Sequence, residues 1–327
     1  MYDLIGDIHG HAAELRQLLD LLGYREEAGC YRHPGRQVLF LGDFIDRGPE
    51  IREVLQIVRS MVDAGSARAV MGNHEFNAIC YATPDPAAPG EFLRRHNAHN
   101  VHQHRATVHQ FAGDPGWADW LDWFRTLPLF LDLGPVRCVH ACWHPHSLRV
   151  IDSAYARAGG LTPYFLQQAT THGRPLFHAV ETVLKGIEVR LPDGWSYLDK
   201  DGHPRRRVRL QWFHSSDQQT WRSYTLSVNP QDMPDTPFPA GDFPGLEPYS
   251  EDAPPVFFGH YWLSPEVVVA PSLRSPNAAC LDYSVARGGQ LVAYRWDGEA
   301  YLAAEKFRAV PARPYKPTPV SAESQTP

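Results

Sequence analysis

Acidic, amide and imidazole side chains follow the ends of several apolar runs in this sequence, and these side chains are typical ligands of divalent metal ions. They occur in the motifs GDIHG at 6–10, GDFIDRG at 42–48 and GNHE at 72–75, and as single histidines in later segments. The candidate ligands are Asp7, His9, Asp43, Asn73, His140 and His260. This set offers oxygen and nitrogen donors without a thiolate. It therefore suits Mn²⁺, Fe²⁺, Zn²⁺ or Ni²⁺ better than a structural zinc or a calcium site.

Asp43 is the candidate for a carboxylate that bridges two ions, giving one oxygen to each. Two ions roughly 4 Å apart would clamp a phosphoryl oxygen and lower the pKa of a shared water toward neutrality. The expected reaction is hydrolysis by a metal-bound hydroxide that attacks phosphorus in line. No Cys or Ser stands in a nucleophile motif, so we expect no phosphoenzyme.

Three further residues beside the candidate ligands suit phosphate chemistry. Arg47 follows Asp43 closely and carries the planar guanidinium that matches a phosphate. His74 is adjacent to Asn73 and is the candidate general acid for the leaving alkoxide. Asp46 is the candidate for orienting that imidazole and holding its proton.

The elements that must position these residues are short strands alternating with helices. Apolar runs at 4–5, 38–41, 69–71, 136–139 and 256–258 predict strands, while the spacing of apolar residues in 11–22 and 51–62 predicts helices. This alternation indicates βαβ units. We expect an α/β fold in which two mixed sheets pack face to face with helices outside, and in which the site lies at the carboxyl ends of the strands.

The motifs GDIHG, GDFIDRG and GNHE, followed by two later single histidines, resemble those of the calcineurin-like metallophosphoesterase superfamily. More narrowly, they are similar to its phosphoprotein-phosphatase branch, which includes serine/threonine phosphatases and symmetrical dinucleoside tetraphosphatases. The resemblance covers 1–77, the stretch around His140, and 255–296. It implies a metallophosphoesterase-type β-sandwich and the roles given above for His74, Asp46 and Arg47. It implies one metal held by Asp7, His9 and Asp43, and a second held by Asp43, Asn73, His140 and His260.

The segment CLDYSVARGGQLVAYRW at 280–296 resembles a strand of the bacterial dinucleoside polyphosphatases, LDTGxxxGGxLxAL. This resemblance puts Asp282 near the site as a candidate substrate-binding residue. The segment departs from the pattern at Tyr283, where the family usually has Thr. Ala141 and Cys142 likewise replace the small residues that usually follow the histidine of the family motif. The metal centre is thus expected, and the substrate is left open.

We expect one metallophosphoesterase domain over residues 1–310. Its core would comprise 1–77, 130–150 and 255–310, with a helical cap at 78–126 and a β-rich insert at 151–254. Turn signals at 193–194, 201–202 and 297–298 predict hairpins, and the Pro-rich stretch 230–255 predicts an irregular surface segment. Residues 311–327 have the composition of a disordered tail.

Two groups of side chains outside the motifs have open interpretations. The run 205–209 contains Arg205, Arg206, Arg207 and Arg209, and is either a solvated strand edge or a phosphate-reading patch in which Arg205 and Arg207 bind substrate. The histidines between 96 and 109 are expected to form a solvated helix face that covers the cleft, rather than a third metal site. The tryptophans, Trp262 among them, are expected in the core, with one of them a candidate for stacking on a nucleobase.

The leading substrate class is a small phosphoester or a dinucleoside polyphosphate, hydrolysed with two divalent ions, of which Mn²⁺ is expected first. A phosphoprotein is the first alternative and a nucleic acid end the second, although the net charge of −6 disfavours a nucleic acid partner. A catalytically dead binding module is the alternative from another class. No run of eighteen apolar residues occurs, so no membrane partner is expected, and the start MYDLIGDIHG leaves no room for a signal peptide. We therefore expect a cytoplasmic enzyme.

Overall fold

A computed structural model describes residues 1–198, 202–226, 228–243, 245–263 and 275–314 of the chain. Its strands are β1 (Tyr2–Ile5), β2 (Arg25–Glu27), β3 (Cys30–Arg32), β4 (Gln37–Phe40), β5 (Ala67–Ala69), β6 (Phe130–Asp132), β7 (Arg137–Val139), β8 (Glu188–Arg190), β9 (Tyr197–Leu198), β10 (Pro204–Arg205), β11 (Arg207–Leu210), β12 (Thr225–Leu226), β13 (Val256–Phe258), β14 (Ala278–Cys280), β15 (Asp282–Tyr283), β16 (Gln290–Trp296) and β17 (Phe307–Pro311). Its α-helices are α1 (Ala12–Leu22), α2 (Ile51–Asp63), α3 (Asn73–Ala82), α4 (Ala98–Gln110), α5 (Trp117–Thr126), α6 (Pro145–Ala158), α7 (Pro163–Thr170), α8 (Pro175–Lys185) and α9 (Trp221–Tyr224).

Two mixed sheets form the centre of the molecule. The first has the order β15-β16-β1-β4-β5, with β17 paired to β16; β1, β4 and β5 are parallel, while β16 runs antiparallel to β1. The second has the order β14-β13-β7-β6, in which β13 is parallel to both β14 and β7, and β6 is antiparallel to β7. The predicted α/β class with two mixed sheets is confirmed.

Each central strand is buried on both faces, which explains why the strands are continuous apolar runs in the sequence. Leu4 and Leu39 face a cluster that also contains Phe257 of the second sheet, so this cluster lies between the sheets. Ile5 and Phe40 belong to a separate cluster with the apolar faces of α1 and α2. The sheets therefore pack on each other, and helices cover the outer face of the first sheet, as predicted.

The cap and the insert differ in composition. Residues 78–126 are mostly helical, as predicted, with α3, α4 and α5 in this segment. The insert was predicted to be β-rich, but its first part is helical through α6, α7 and α8, and strands begin at Glu188. Strands β8, β11 and β12 then form a small sheet with its own apolar cluster, which includes Val208, Trp221 and Phe238. Apart from short 3₁₀ turns, the described part of 230–255 is irregular, as expected.

The hairpin predicted at 193–194 is wrong, because among the described residues β8 pairs with β11 and β9 pairs with β10, whereas the other two predicted hairpins are present in modified form. Strands β16 and β17 pair antiparallel, but residues 297–306 connect them instead of a tight turn. Strands β9 and β10 also pair antiparallel, and the residues that connect them lie partly outside the described ranges. The first residues of the expected tail are ordered, because Pro311 ends β17 and Arg313 bonds with the Glu14 and Glu50 carboxylates. Residues 315–327 lie outside the described residues. Among the described residues, no helix is long and apolar enough to cross a membrane.

The loops that follow β4 and β5 are joined by one buried carboxylate, that of Glu75. Its Oε2 accepts hydrogen bonds from the amides of Asp43 at 2.9 Å and Gly72 at 3.0 Å, and its Oε1 accepts from the amides of Phe44 at 2.8 Å and Ile45 at 3.3 Å. Burial and the nearby Asp43 carboxylate raise the pKa of Glu75 to about 7. A carboxylate suits this place because it has acceptors for every one of these donors.

We predict that Glu75→Gln destabilises the protein. The amide group that replaces one oxygen would face backbone N–H donors and leave them without an acceptor, which costs about 1–3 kcal/mol of unfolding free energy. Urea unfolding at pH 8, where the Glu75 carboxyl is largely ionised, measures this loss. Glu91→Gln is the matched control, since Glu91 is exposed. Equal stability of the two variants would contradict the role given to Glu75.

Candidate active site

The candidate ligands lie on loops whose backbone turns sharply after the strands end. The backbone φ angles of His9, Asp43 and His260 are 45°, 54° and 72°. Residues other than glycine rarely adopt such positive values. Gly42 has φ 91°, and a Cβ there would lie 2.4 Å from the amide nitrogen of Gly72. The loops after β4 and β5 therefore approach so closely that only glycine fits between them. Such strained positions cluster at functional sites.

The two oxygens of Asp43 face two different groups of side chains. Oδ2 lies 3.6 Å from Nε2 of His9 and 3.8 Å from Nε2 of His74. Oδ1 lies 3.4 Å from Nε2 of His140. Donor atoms of His9, Asp43 and His74 lie within 4.8 Å of one another, and the same holds for Asp43, His140 and His260. Two donor groups thus share one carboxylate.

Hydrogen bonds fix which ring nitrogen each histidine presents. Nδ1 of His9 donates to the carbonyl of Ile45 at 2.9 Å, and Nδ1 of His140 donates to the carbonyl of Leu41 at 2.7 Å. Both rings therefore direct Nε2 toward Asp43, in the arrangement typical of metal-binding histidines. Nε2 of His9 is buried and has no hydrogen-bond partner among the described residues.

Asn73 and Asp7 complete the set of candidate ligands. Oδ1 of Asn73 lies 3.1 Å from Nε2 of His140 and 2.7 Å from Nδ1 of His260. The carboxylate of Asp7 accepts the amide of His260 at 3.1 Å. The loops after β1, β4, β5, β7 and β13 thus bring all the predicted ligands to one place.

The electrostatics of the buried donors fit divalent cations. Burial, with Asp282 and Asp43 nearby, raises the pKa of Asp7, because like charges lie close together in a dry site. Burial lowers the pKa of His9 and of His260, so both imidazoles favour the neutral state that binds metals. Burial alone would lower the pKa of His140, but the Asp43 carboxylate raises it. These residues fit two divalent ions, which would neutralise the carboxylates and use the unpartnered imidazole nitrogen.

His74 and Asp46 form the predicted pair. Nδ1 of His74 donates to Oδ2 of Asp46 at 2.5 Å, while Nε2 points toward Asp43. Burial would raise the pKa of Asp46, but His104 and then His74 hold it well below its usual value, so Asp46 stays an ionised acceptor.

Helix α4 supplies two partners of Asp46 that sequence reasoning missed. His104 and Thr107 both bond with Oδ1 of Asp46, His104 at 2.8 Å. The histidines between 96 and 109 were expected to form a solvated face, which is correct for His99, His102 and His109 but wrong for the buried His104. Residues 104, 107 and 111 share one helical face, and this spacing was the available signal.

Two guanidinium groups lie over the indole of Trp262. The Arg47 carbon Cζ is 4.3 Å from the ring centroid and that of Arg287 is 5.1 Å away, both within cation–π range. Nε of Arg47 is buried and has no hydrogen-bond partner in the described part of the chain. Trp262 therefore contacts two arginine side chains while it lines the cleft, and the stacking of a nucleobase on a tryptophan stays a prediction.

Asp282 lies behind the site. Its oxygens accept the amides of Trp262 at 2.8 Å and Ser284 at 3.0 Å, and its carboxylate is buried. It does not line the cleft among the described residues. The geometry gives Asp282 the role of holding the loop that carries His260 and Trp262, in place of the substrate contact suggested by the sequence.

The insert borders the same cleft, which has a volume of about 2970 Å³. Arg205 on β10 lines it and is exposed. Arg207 also borders it, but its Nε bonds with the Glu188 carboxylate at 3.1 Å. Arg209 lines the cleft close to His260 and donates to the carbonyl of Lys185. The arginine run thus faces the cleft, although Arg207 and Arg209 are engaged in structural bonds.

Comparison with known proteins identifies the family of the first half of the chain. Residues 2–162 match the calcineurin-like phosphoesterase family. The chain is 49% identical over 74 residues to an asymmetrical bis(5'-nucleosyl)-tetraphosphatase, PrpE, of Halalkalibacterium halodurans; this match covers 22% of the chain and spans about 30% of the length of that relative. It is 26% identical over 318 residues to a symmetrical bis(5'-nucleosyl)-tetraphosphatase of Aeromonas salmonicida, which covers 91% of this chain and 95% of that protein.

A solved protein serine/threonine phosphatase of Saccharomyces cerevisiae matches with a TM-score of 0.46 at 11% identity, covering 98% of this chain and 81% of that one. The family match agrees with the motifs GDIHG, GDFIDRG and GNHE and with the site that they form. Phosphoester hydrolysis, the chemistry predicted from these motifs, is the chemistry for which this family is named. Residues 2–162 of the chain belong to the calcineurin-like phosphoesterase family.

Proposed function

We propose that this chain is a phosphoester hydrolase that works with two divalent metal ions, Mn²⁺ first among them. The observation that carries the proposal is the position of Asp43, whose two oxygens face two separate groups of donors. One ion would be held by Asp7, His9 and Asp43, and the other by Asp43, Asn73, His140 and His260. When bound, such ions activate water and accept the charge that develops on phosphoryl oxygens.

The remaining side chains would bind the phosphate and deliver a proton. The half-buried guanidinium of Arg47 lies over Trp262. It can donate hydrogen bonds to two oxygens of a phosphate. His74 would carry its proton on Nε2 toward the leaving oxygen, because Nδ1 is bonded to Asp46. A catalytically dead binding module would have no need for this pair beside a complete set of ligands.

The substrate class that the cleft supports best is a phosphoester with additional phosphates, such as a dinucleoside polyphosphate. The cleft of about 2970 Å³ is larger than the 300–1000 Å³ typical of small-ligand sites, so it can hold groups beyond one phosphate. Its lining is rich in arginine, including Arg47, Arg94 and Arg205, which suits a ligand with several phosphates. Tetraphosphatases among the relatives agree with this choice.

A phosphoprotein and a nucleic acid end remain the alternative substrates. A panel of diadenosine tetraphosphate, phosphopeptides and phosphorylated oligonucleotides, assayed with Mn²⁺, separates them. Hydrolysis of only the peptides or only the oligonucleotides would overturn the polyphosphate choice. The cytoplasmic location stays a prediction.

We predict that the purified protein contains two divalent ions per chain and loses hydrolysis of p-nitrophenyl phosphate in a chelator. Asp43→Asn should lose both ions and activity, because a neutral amide cannot bridge two cations. Elemental analysis measures occupancy. Asp119→Asn, an exposed change on α5, is the control and should keep both. A single ion in fully active protein would contradict the two-metal proposal.

We predict that His74→Asn slows hydrolysis of an alkyl phosphate far more than that of p-nitrophenyl phosphate. General acid catalysis is worth about 10² to 10⁴-fold, and a strongly basic alkoxide needs the proton while p-nitrophenolate hardly does. Comparing kcat for both esters measures the difference, with metal content as the control for an intact centre. Equal slowing of both would mean that His74 does not protonate the leaving group.

We predict that replacing Arg205 and Arg206 together by Ala raises KM for diadenosine tetraphosphate about tenfold, roughly the effect of losing 1.4 kcal/mol of binding. Hydrolysis of p-nitrophenyl phosphate should stay nearly unchanged, since its single phosphate reaches only Arg47 and the metal centre. Arg68→Ala, an exposed change on β5 outside the cleft, is the control. An equal loss on both substrates would instead indicate a structural role for the pair.

A further inference from the structure

The Asp46 carboxylate is a junction between the loop after β4 and the cap. Its Oδ2 accepts from His74, and its Oδ1 accepts from His104 at 2.8 Å and from the Thr107 hydroxyl at 2.5 Å. The Thr107 oxygen also accepts the Asp46 amide at 3.0 Å. Helix α4 therefore holds both the backbone and the side chain of this residue.

These hydrogen bonds matter because the backbone of Asp46 has a strained, left-handed conformation. Its φ is 67°, and Arg47 beside it has φ 68°. A residue in this region persists when surrounding contacts determine its position. The Glu75 carboxylate accepts the loop amides only as far as Ile45, so the amide and the carboxylate of Asp46 are bonded by His74 and by α4. Without His104, Oδ1 of the buried Asp46 carboxylate would keep a single hydrogen bond, the one from the Thr107 hydroxyl.

The ring of His104 is itself held in place by the cap. It lies 5.2 Å from the ring of Tyr81 on α3 and 6.2 Å from that of Trp117 on α5, measured between centroids. Its exposed fraction is 6%, so water does not compete for its bond with Asp46. Exposed histidines of the same helix, such as His109, have no hydrogen bond with Asp46 and serve as internal comparisons.

We propose that His104 is a positioning residue for proton transfer: it fixes the Asp46 carboxylate so that Oδ2 meets Nδ1 of His74, and Nε2 of His74 points at the leaving oxygen. The proposal rests on the proposed function, in which His74 donates that proton. His104 contacts none of the predicted metal ligands in the described part of the chain. Its loss should therefore affect the leaving-group step and leave metal binding intact.

The test compares His104→Leu, His104→Asn and His109→Leu in the full-length protein loaded with Mn²⁺. Leu fills the space without a donor, whereas the Asn amide nitrogen can occupy the place of the imidazole Nδ1. Each variant is assayed with an alkyl phosphate and with p-nitrophenyl phosphate, and its metal content is measured. In the metal-free proteins, proton NMR of the downfield imidazole N–H signals reports the bonds with Asp46 without reference to activity.

We expect His104→Leu to lower kcat for the alkyl ester about tenfold more than kcat for p-nitrophenyl phosphate, as part of the 10²–10⁴-fold worth of a general acid. KM and metal content should stay within twofold. One downfield N–H signal should vanish and the His74 signal should shift. His104→Asn should recover most of the loss, and His109→Leu should match the wild type.

Equal losses on both esters, or no loss in His104→Leu, would overturn the positioning role. So would an Asn variant that is as slow as the Leu variant although it binds metal and its His74 signal keeps the wild-type position. A wild-type protein that hydrolyses neither ester would overturn the proposed function itself. That outcome is distinct from an active wild type that is indifferent to His104.

Discussion

The site depends on one constraint: the loops after β4 and β5 must meet without a gap. The Glu75 carboxylate satisfies the amides of Gly72, Asp43 and Phe44, and the lack of a side chain at Gly42 lets the backbones touch. This contact orients the Asp43 carboxylate between His9 and His140, since the amide of Asp43 is one of the bonded groups. Every other feature of the centre, including the separation of two donor groups, follows from where Asp43 points.

The charges of the cleft are arranged in two layers. Its floor holds carboxylates whose burial, and then whose mutual repulsion, raise the pKa of Asp7 and Glu75, so a cation would be stabilised there. Its walls carry Arg47, Arg205 and other cations that attract phosphates. The chain as a whole has a net charge of −6, so this positive wall is a local property. The walls therefore suit an anionic ligand, and the floor suits divalent cations.

The sequence could place the six candidate ligands together because each follows the end of a strand and four of them directly follow a glycine, so that the backbone itself determines their position. Their role as metal ligands stays a prediction. The class of the fold followed from the same pattern. Partners brought by tertiary docking were harder to see. Nothing near Asp46 in the sequence indicates His104, which reaches it from a helix 58 residues away. The bonds of the Asp282 carboxylate with the loop amides also depend on packing, and so do the helices at the start of the insert. The sequence predicted a substrate contact for Asp282 and strands for the insert, and it indicated neither of these features.

The strands of the insert have an apolar cluster of their own, built around Val208, Leu210, Trp221 and Phe238, apart from the two clusters of the main sheets. Residues that stabilise this small sheet are thus largely distinct from those that hold the metal ligands. Mutations within it can accumulate at little cost to the catalytic framework. In evolutionary terms, one wall of the cleft can diverge while the motifs on its floor stay the same.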